Sequence, residues 1–170
     1  LVPGSVVFPS SEGSRILLVE LQALVTPAPF GGPPRRLASG IDYNRMCMLL
    51  AVLEKRRGLG LHSHDVYCNV AGDLRIAEPA ADLGIALAVA SSFRNQAPVE
   101  GLVAFGEVGL AGEVRGIARV EARIKEGIRL GFNRFLLPRT ESQDLKKLAG
   151  EGISLLEAAS LEEALELALP

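Results

Sequence analysis

Apolar residues along this chain alternate with polar ones in some stretches and fall at helical spacing in others, and the two patterns take turns. Val6-Val7-Phe8 is strand-like, and Arg15 to Val25 reads as a long strand in which Glu20 and Gln22 alternate outward. Pro27 to Pro34 is too dense in proline and glycine for a regular element and predicts an exposed loop, with Arg35 to Gly40 returning as a short strand. Asp42 suits a helix N-cap, and Met46, Leu49, Leu50 and Leu53 share one face of a helix closed by Arg57-Gly58. His64 to Ala71 alternates again, with Val66, Cys68 and Val70 on one side.

The second half continues the pattern. A helix is predicted from about Pro79 to Phe93, since proline suits the first turn; it is alanine-rich and poor in charge, as a buried helix is. Gly101 to Phe105 reads as a short buried strand, and Gly106 to Val114 as a glycine-punctuated hairpin. A helix over Ala118 to Leu130 leads to a strand, Arg134 to Leu137, stopped by Pro138. Helix (Glu141 to Leu148), strand (Ile153 to Leu156) and helix (Leu161 to Leu169) complete the chain, the last with a capping-box pair, Ser160 and Glu163. Such alternation predicts an α/β fold, a mixed sheet covered by helices.

Composition places the chain among globular proteins. Its 170 residues, 48% hydrophobic and 22% charged, read as a single domain over 1–170. A domain of that size buries roughly two-thirds of its unfolded surface. No apolar run approaches the ~18 residues of a membrane span, and no basic-then-apolar leader opens the chain. The expectation is a cytoplasmic protein without a membrane partner. The opening Leu1-Val2-Pro3-Gly4-Ser5 carries no initiator Met and is read as a cut from a longer protein with further domains upstream. Cys47 and Cys68 lack CxxC spacing and are read as buried core thiols, with a disulfide or metal role as the other reading.

Charge is informative by position rather than by sum. The net charge is −2, yet from Glu141 onward there are seven acids and two lysines, so the excess of base lies earlier. Arg35 to Arg57 carries six basic and two acidic groups, and Arg115 to Arg139 seven and two. These stretches are either anion-binding faces or solvated, salt-bridged surface.

Gly106-Glu107-Val108-Gly109 lacks the GxxxxGK[ST] of a phosphate loop and reads as a hairpin, so no ATP site is expected here. His62-Ser63-His64-Asp65 lacks a third ligand at metal spacing, and no metal is expected. No GxSxG motif supports a Ser-His-Asp triad.

Three local motifs, Gly40-Ile41-Asp42-Tyr43-Asn44-Arg45, Glu78-Pro79-Ala80-Ala81-Asp82-Leu83 and Gly106 through Arg115, resemble in residues and spacing the C-terminal domain of the bacterial RadA (Sms) family over nearly the whole chain. That domain in turn resembles the proteolytic domain of Lon, a ribosomal-protein-like βαβ superfold with a Ser–Lys dyad. The resemblance places Ala80 at the serine position and Glu121 at the lysine position, with Arg119 and Arg123 flanking it, and Asp82 where Lon has a small glycine. A Ser–Lys dyad needs a hydroxyl to attack and a neutral amine to take its proton, and neither residue supplies one. Ser91 and Ser92 lie roughly 16 Å from Ala80 along the predicted helix, too far to inherit its site.

The resemblance implies a domain without catalytic residues, assembling into a homohexameric ring and binding DNA phosphates without sequence preference. The candidate contacts are Arg35, Arg36, Arg45, Arg56 and Arg57 in one cluster, and Arg115, Arg119 and Arg123 in the other, the last two sharing a helical face at i, i+4. No cofactor is expected in this domain; ATP and zinc belong, on this reading, to the upstream domains of a recombination and repair ATPase. Aromatic residues are only 5%, so base stacking is not expected. The alternatives are a purely structural ring-former and an unconventional serine peptidase.

Overall fold

The computed structural model describes residues 2–30 and 32–170; Leu1, in the opening segment, and Gly31, inside the Pro/Gly-rich loop, lie outside the described residues. The chain begins with a long antiparallel hairpin, β1 (Ser5–Glu12) and β2 (Arg15–Pro27), registered from Ser5↔Gln22 to Glu12↔Arg15. After β3 (Arg36–Ser39), helix α1 (Tyr43–Arg57) starts on Asp42, whose side chain accepts from Arg45 N. It ends at Gly58, whose φ of 66° suits a residue without a Cβ. Strand β4 (His64–Val70) buries Val66, Cys68 and Val70 on one side, the alternation visible in its sequence.

The segment predicted as one helix from Pro79 is two elements: a 3₁₀ turn, Pro79–Ala81, and then α2 (Asp82–Arg94). Residues 82–91 of α2 are all buried, as an alanine-rich helix without a charged face requires. Then follow β5 (Leu102–Ala104), the ribbon β6 (Glu107–Val108) and β7 (Val114–Arg115), α3 (Val120–Arg129), β8 (Arg134–Pro138), α4 (Gln143–Leu148), β9 (Ser154–Ala158) and α5 (Leu161–Ala168). Ser160 Oγ accepts from Glu163 N at 3.1 Å, capping α5 as its sequence predicts.

Seven strands form one mixed sheet in the order β3-β4-β2-β1-β5-β8-β9, among the described residues. The pairs β1–β2 and β2–β4 are antiparallel, whereas β3–β4 and the run β1-β5-β8-β9 are parallel. Two glycines show how the helices seat. A Cβ on Gly84 of α2 would lie 2.8 Å from Leu21, and one on Gly127 of α3 would lie 2.5 Å from the Phe135 ring and 3.6 Å from Val103. Leu21 pairs with Val6, and Val103 with its chain neighbour Val7. Successive strand residues point to opposite faces, so α2 and α3 cover opposite faces of the sheet.

Two corrections to the sequence reading bear on the site. α3 begins at Val120 because Arg119 has φ 60°, a left-handed conformation uncommon for a long side chain. Arg119 and Arg123 therefore do not share a helical face at i, i+4. Cys47 is only half-buried; Cys68 is buried, which pushes its thiol up to about 12, and both are free.

Candidate functional site

A cavity of about 400 Å³ opens where the 3₁₀ turn, the end of β1 and the start of α3 meet. Its apolar wall includes Pro79, Ala80 and Ile117, and its polar groups are Ser11, Glu78, Glu107 and Arg123. Backbone bonds hold the turn in place: Gly106 N donates to Ala80 O at 2.8 Å, and Leu83 N to Gly106 O at 3.0 Å. Ala80 is thus fixed on the cavity wall, where its side chain is a methyl group.

The cation that shares this cavity with Glu78 and Glu107 is Arg123. Its side chain is 3% exposed, and every arm of the guanidinium is engaged. Nε donates to Ala118 O at 2.9 Å, Nη1 to Pro9 O at 2.6 Å, and Nη2 lies 2.6 Å from Glu78 Oε1. The cation also sits 5.9 Å from the centroid of the Phe8 ring. The other Glu78 oxygen accepts from Ser11 N at 2.8 Å. Glu121, the residue that the Lon comparison set at the lysine position, does not line the cavity. It stands on the outer face of the first turn of α3, 53% exposed and 2.9 Å from Lys125. The helix starts late, and its inward positions are Arg123, Ile124 and Gly127.

A second ion pair lies beside the cavity. Asp82 is 1% exposed and takes two hydrogen bonds from Arg45, that from Nε at 2.7 Å, and a third from Val108 N at 3.0 Å. Glu107 Oε1 is 3.8 Å from the same guanidinium. Burial raises the Asp82 carboxyl above the usual carboxylate range, and the bonds from Arg45 and Val108 pull it back. One carboxylate thereby ties α1, α2 and the β6–β7 ribbon together. Sequence comparison marked Asp82 only as a departure from glycine; its partners come from 37 and 26 positions away.

The remaining arginine candidates are distributed around the molecule. Arg36 donates to Leu61 O at 2.9 Å and to His64 O, and Arg35 is held by its backbone N on Asp65. Arg57 lies 3.8 Å from Glu166, and Arg115 is 2.8 Å from Glu113. Arg56 packs its stem against the ribbon, where a Cβ on Gly112 would meet it at 3.3 Å. Arg45 and Arg115 line one further depression along the ribbon, so part of each predicted cluster meets there. Arg119 reaches back to the β1–β2 turn, donating to Ser11 Oγ, Gly13 O and Ser14 O at 2.7, 3.1 and 2.9 Å. Those three bonds hold its unusual backbone.

That last contact builds a feature the sequence reading missed. Arg15, Arg119, Lys125 and Arg129 line one groove of about 380 Å³ between the hairpin turn and α3, with Glu126 the acid among them. Arg129 is 2.5 Å from Glu126, while the Arg15 side chain has no hydrogen-bond or ion-pair partner among the described residues. Lys125 and Arg129 were legible as an i, i+4 pair on a helix; Arg15 joins them only through the tertiary fold.

The other chemistry-bearing residues are engaged locally. Ser91 Oγ accepts from Gly4 N at 2.8 Å and donates to Gln96 O, and Ser92 Oγ accepts from Val25 N at 2.9 Å. His64 Nδ1 lies 2.8 Å from Gly60 O with its ring edge-on to Phe93, and His62 Nδ1 is 3.3 Å from Glu54. No group of three or more metal-ligating side chains occurs among the described residues, and none of their helices is long and apolar enough to cross a membrane.

Fold and site together define a mixed α/β domain with a small polar cavity whose charged groups are engaged with one another. Comparison with known proteins is consistent with that class. The family model described as subunit ChlI of Mg-chelatase matches residues 49–141. Over 99% of its length the chain is 48% identical to the DNA repair protein RadA of Halalkalibacterium halodurans. It is 47% identical over 98% of its length to that of Bacillus subtilis, and 42% over 97% to that of Aquifex aeolicus. The chain belongs to the RadA family, and it spans 36% of the length of each of these three relatives.

Proposed function

We propose that this chain is a non-catalytic, Lon-like module of a DNA repair protein, contributing DNA phosphate contacts and the assembly of a hexameric ring. The observation that carries the non-catalytic part is the cavity itself. Ala80 offers no hydroxyl, and the cation beside it is an arginine held by Pro9, Ala118 and Glu78. A guanidinium remains protonated at any pH the protein meets and cannot act as a general base. On this reading ATP and zinc serve other parts of the longer protein.

Phosphate contact needs clustered, solvent-accessible cations more than any motif. The groove of Arg15, Arg119, Lys125 and Arg129 is the best-supported place for it, ahead of Arg45 and Arg123, whose charges are balanced inside the protein. Fluorescence anisotropy with a labelled duplex tests the reading. Binding should be measurable at low salt and should weaken as salt is added; no binding at low salt, or salt-independent binding, rejects it. Light scattering tests the ring, for which a hexamer is expected.

A second reading, a ring-former that leaves DNA to the rest of the protein, is favoured by the number of arginines engaged internally. It predicts that Arg15→Ala and Arg129→Ala leave DNA affinity unchanged.

A further inference from the structure

The two edges of β1 are not used alike. Ala23 N donates to Gly4 O at 2.8 Å, and hydrogen bonding alternates along an antiparallel pair, so even-numbered β1 residues face β2 and odd-numbered ones face away. On that far edge Val7 pairs with Val103 of β5, but β5 ends at Ala104. Pro9 and Ser11 continue the edge, and no strand pairs with them there among the described residues. Pro9 has no N–H to leave unpaired, as suits a free edge. Its carbonyl accepts from Arg123 Nη1 at 2.6 Å, and Ser11 N donates to Glu78 Oε2 at 2.8 Å. The two side chains close on each other at 2.6 Å. An acceptor on one residue and a donor two residues on are the groups a neighbouring strand would use. Here an ion pair occupies them.

The cavity lies directly alongside this edge, with Ser11, Glu78 and Arg123 among its lining groups. We propose that the far edge of β1 over Pro9–Ser11 is a strand-accepting site kept shut by the Glu78–Arg123 pair, and that an extended peptide carrying a basic side chain opens it. The peptide backbone would donate to Pro9 O and accept from Ser11 N, as in strand addition. Its side chain must be basic for a charge reason. Displacing Arg123 leaves the carboxylates of Glu78 and Glu107 facing the cavity, while Arg45 is held by buried Asp82 and Arg119 is bonded to Ser11, Gly13 and Ser14. An incoming guanidinium replaces Arg123 at Glu78. The small walls of Pro79, Ala80 and Ile117 leave room for its stem.

The inference does not depend on DNA binding and is tested separately from it. The probe is a labelled, end-capped peptide, Val-Arg-Val-Arg-Val, titrated against the whole chain and against its Arg123→Ala form, with folding checked by circular dichroism. The variant should bind at least tenfold more tightly than the unaltered protein. N-methylation of the peptide backbone, or glutamate in place of its arginines, should abolish the gain. Equal affinity for the two proteins, or a gain that survives backbone methylation, overturns the proposal. Should Arg123→Ala not fold, Arg123→Lys decides: a single ammonium does not reproduce the fork that reaches Ala118 O, Pro9 O and Glu78 from three nitrogens, so tighter peptide binding is expected, and unchanged binding overturns it. Amide exchange gives a further reading: Ser11 N–H, bonded to Glu78, should exchange slowly in the unaltered protein, and fast exchange there would also overturn it.

Discussion

The cavity beside Ala80 and the groove beside Arg15 are both lined by residues of the first hairpin and of α3, and each contains arginine. In the cavity, Arg123 is enclosed and each arm of its guanidinium meets a protein partner. In the groove, the Arg15 side chain has no partner among the described residues, and Lys125 and Arg129 form pairs at the surface. Enclosed charge must be matched within the fold, because desolvating it alone costs several kcal/mol. Exposed charge is solvated and screened, contributes little to stability, and stays available to a phosphate. Arginine content therefore says little about DNA contact until burial has divided the residues into these two groups.

The largest expected effect breaks the other enclosed charge, the buried Asp82 beside the cavity. Asp82→Ala removes the acceptor of three hydrogen bonds and should destabilise the domain by about 3 kcal/mol in urea unfolding. A loss below about 1 kcal/mol would mean that Arg45 and Val108 N–H find water instead.

The next effect belongs to the groove. Arg15→Ala with Arg129→Ala should weaken duplex binding roughly tenfold at low salt and lower the log–log salt slope by about 2, with unfolding midpoints almost unchanged. A fall in stability without a change in salt slope would remove the distinction between the two regions.

A smaller effect is a pH dependence. The Asp82 carboxyl titrates higher in the folded chain than in the unfolded one. Its contribution is therefore fully present below the unfolded value and declines as pH rises through the folded value. The stability of the unaltered protein relative to Asp82→Asn should accordingly fall as pH is raised through the carboxylate range, followed by thermal melts. The exposed Glu113 and Glu126, held low chiefly by hydrogen bonds from Arg115 and Arg129, have the opposite sign and lose their contribution as pH falls. The Asn comparison isolates Asp82 from them.

The smallest effect is an expected lack of change. Ala80→Ser places a hydroxyl on the cavity wall, and no peptide hydrolysis is expected, because Arg123 cannot accept its proton. Turnover of a labelled casein substrate by the purified variant would show that some other group serves as base.

What the sequence determined by itself is the order and kind of the elements, because these follow from local periodicity, caps and breakers. Asp42 and Ser160 cap the helices they precede, and β4 buries the residues that alternate in its sequence. It also determined the absence of oxygen at Ala80. The tertiary structure decided which charged groups meet. Glu121 and Arg123 lie roughly 200° apart around α3, so they cannot both face inward, and the seating of α3 on the sheet buries Arg123 and leaves Glu121 in solvent. Arg15 reaches the groove, and Pro9 and Ser11 meet Arg123 and Glu78, only because the first hairpin folds back beside α3. Backbone periodicity is a property of near neighbours. Charge pairing is settled by distance and desolvation between residues that only the folded chain brings together.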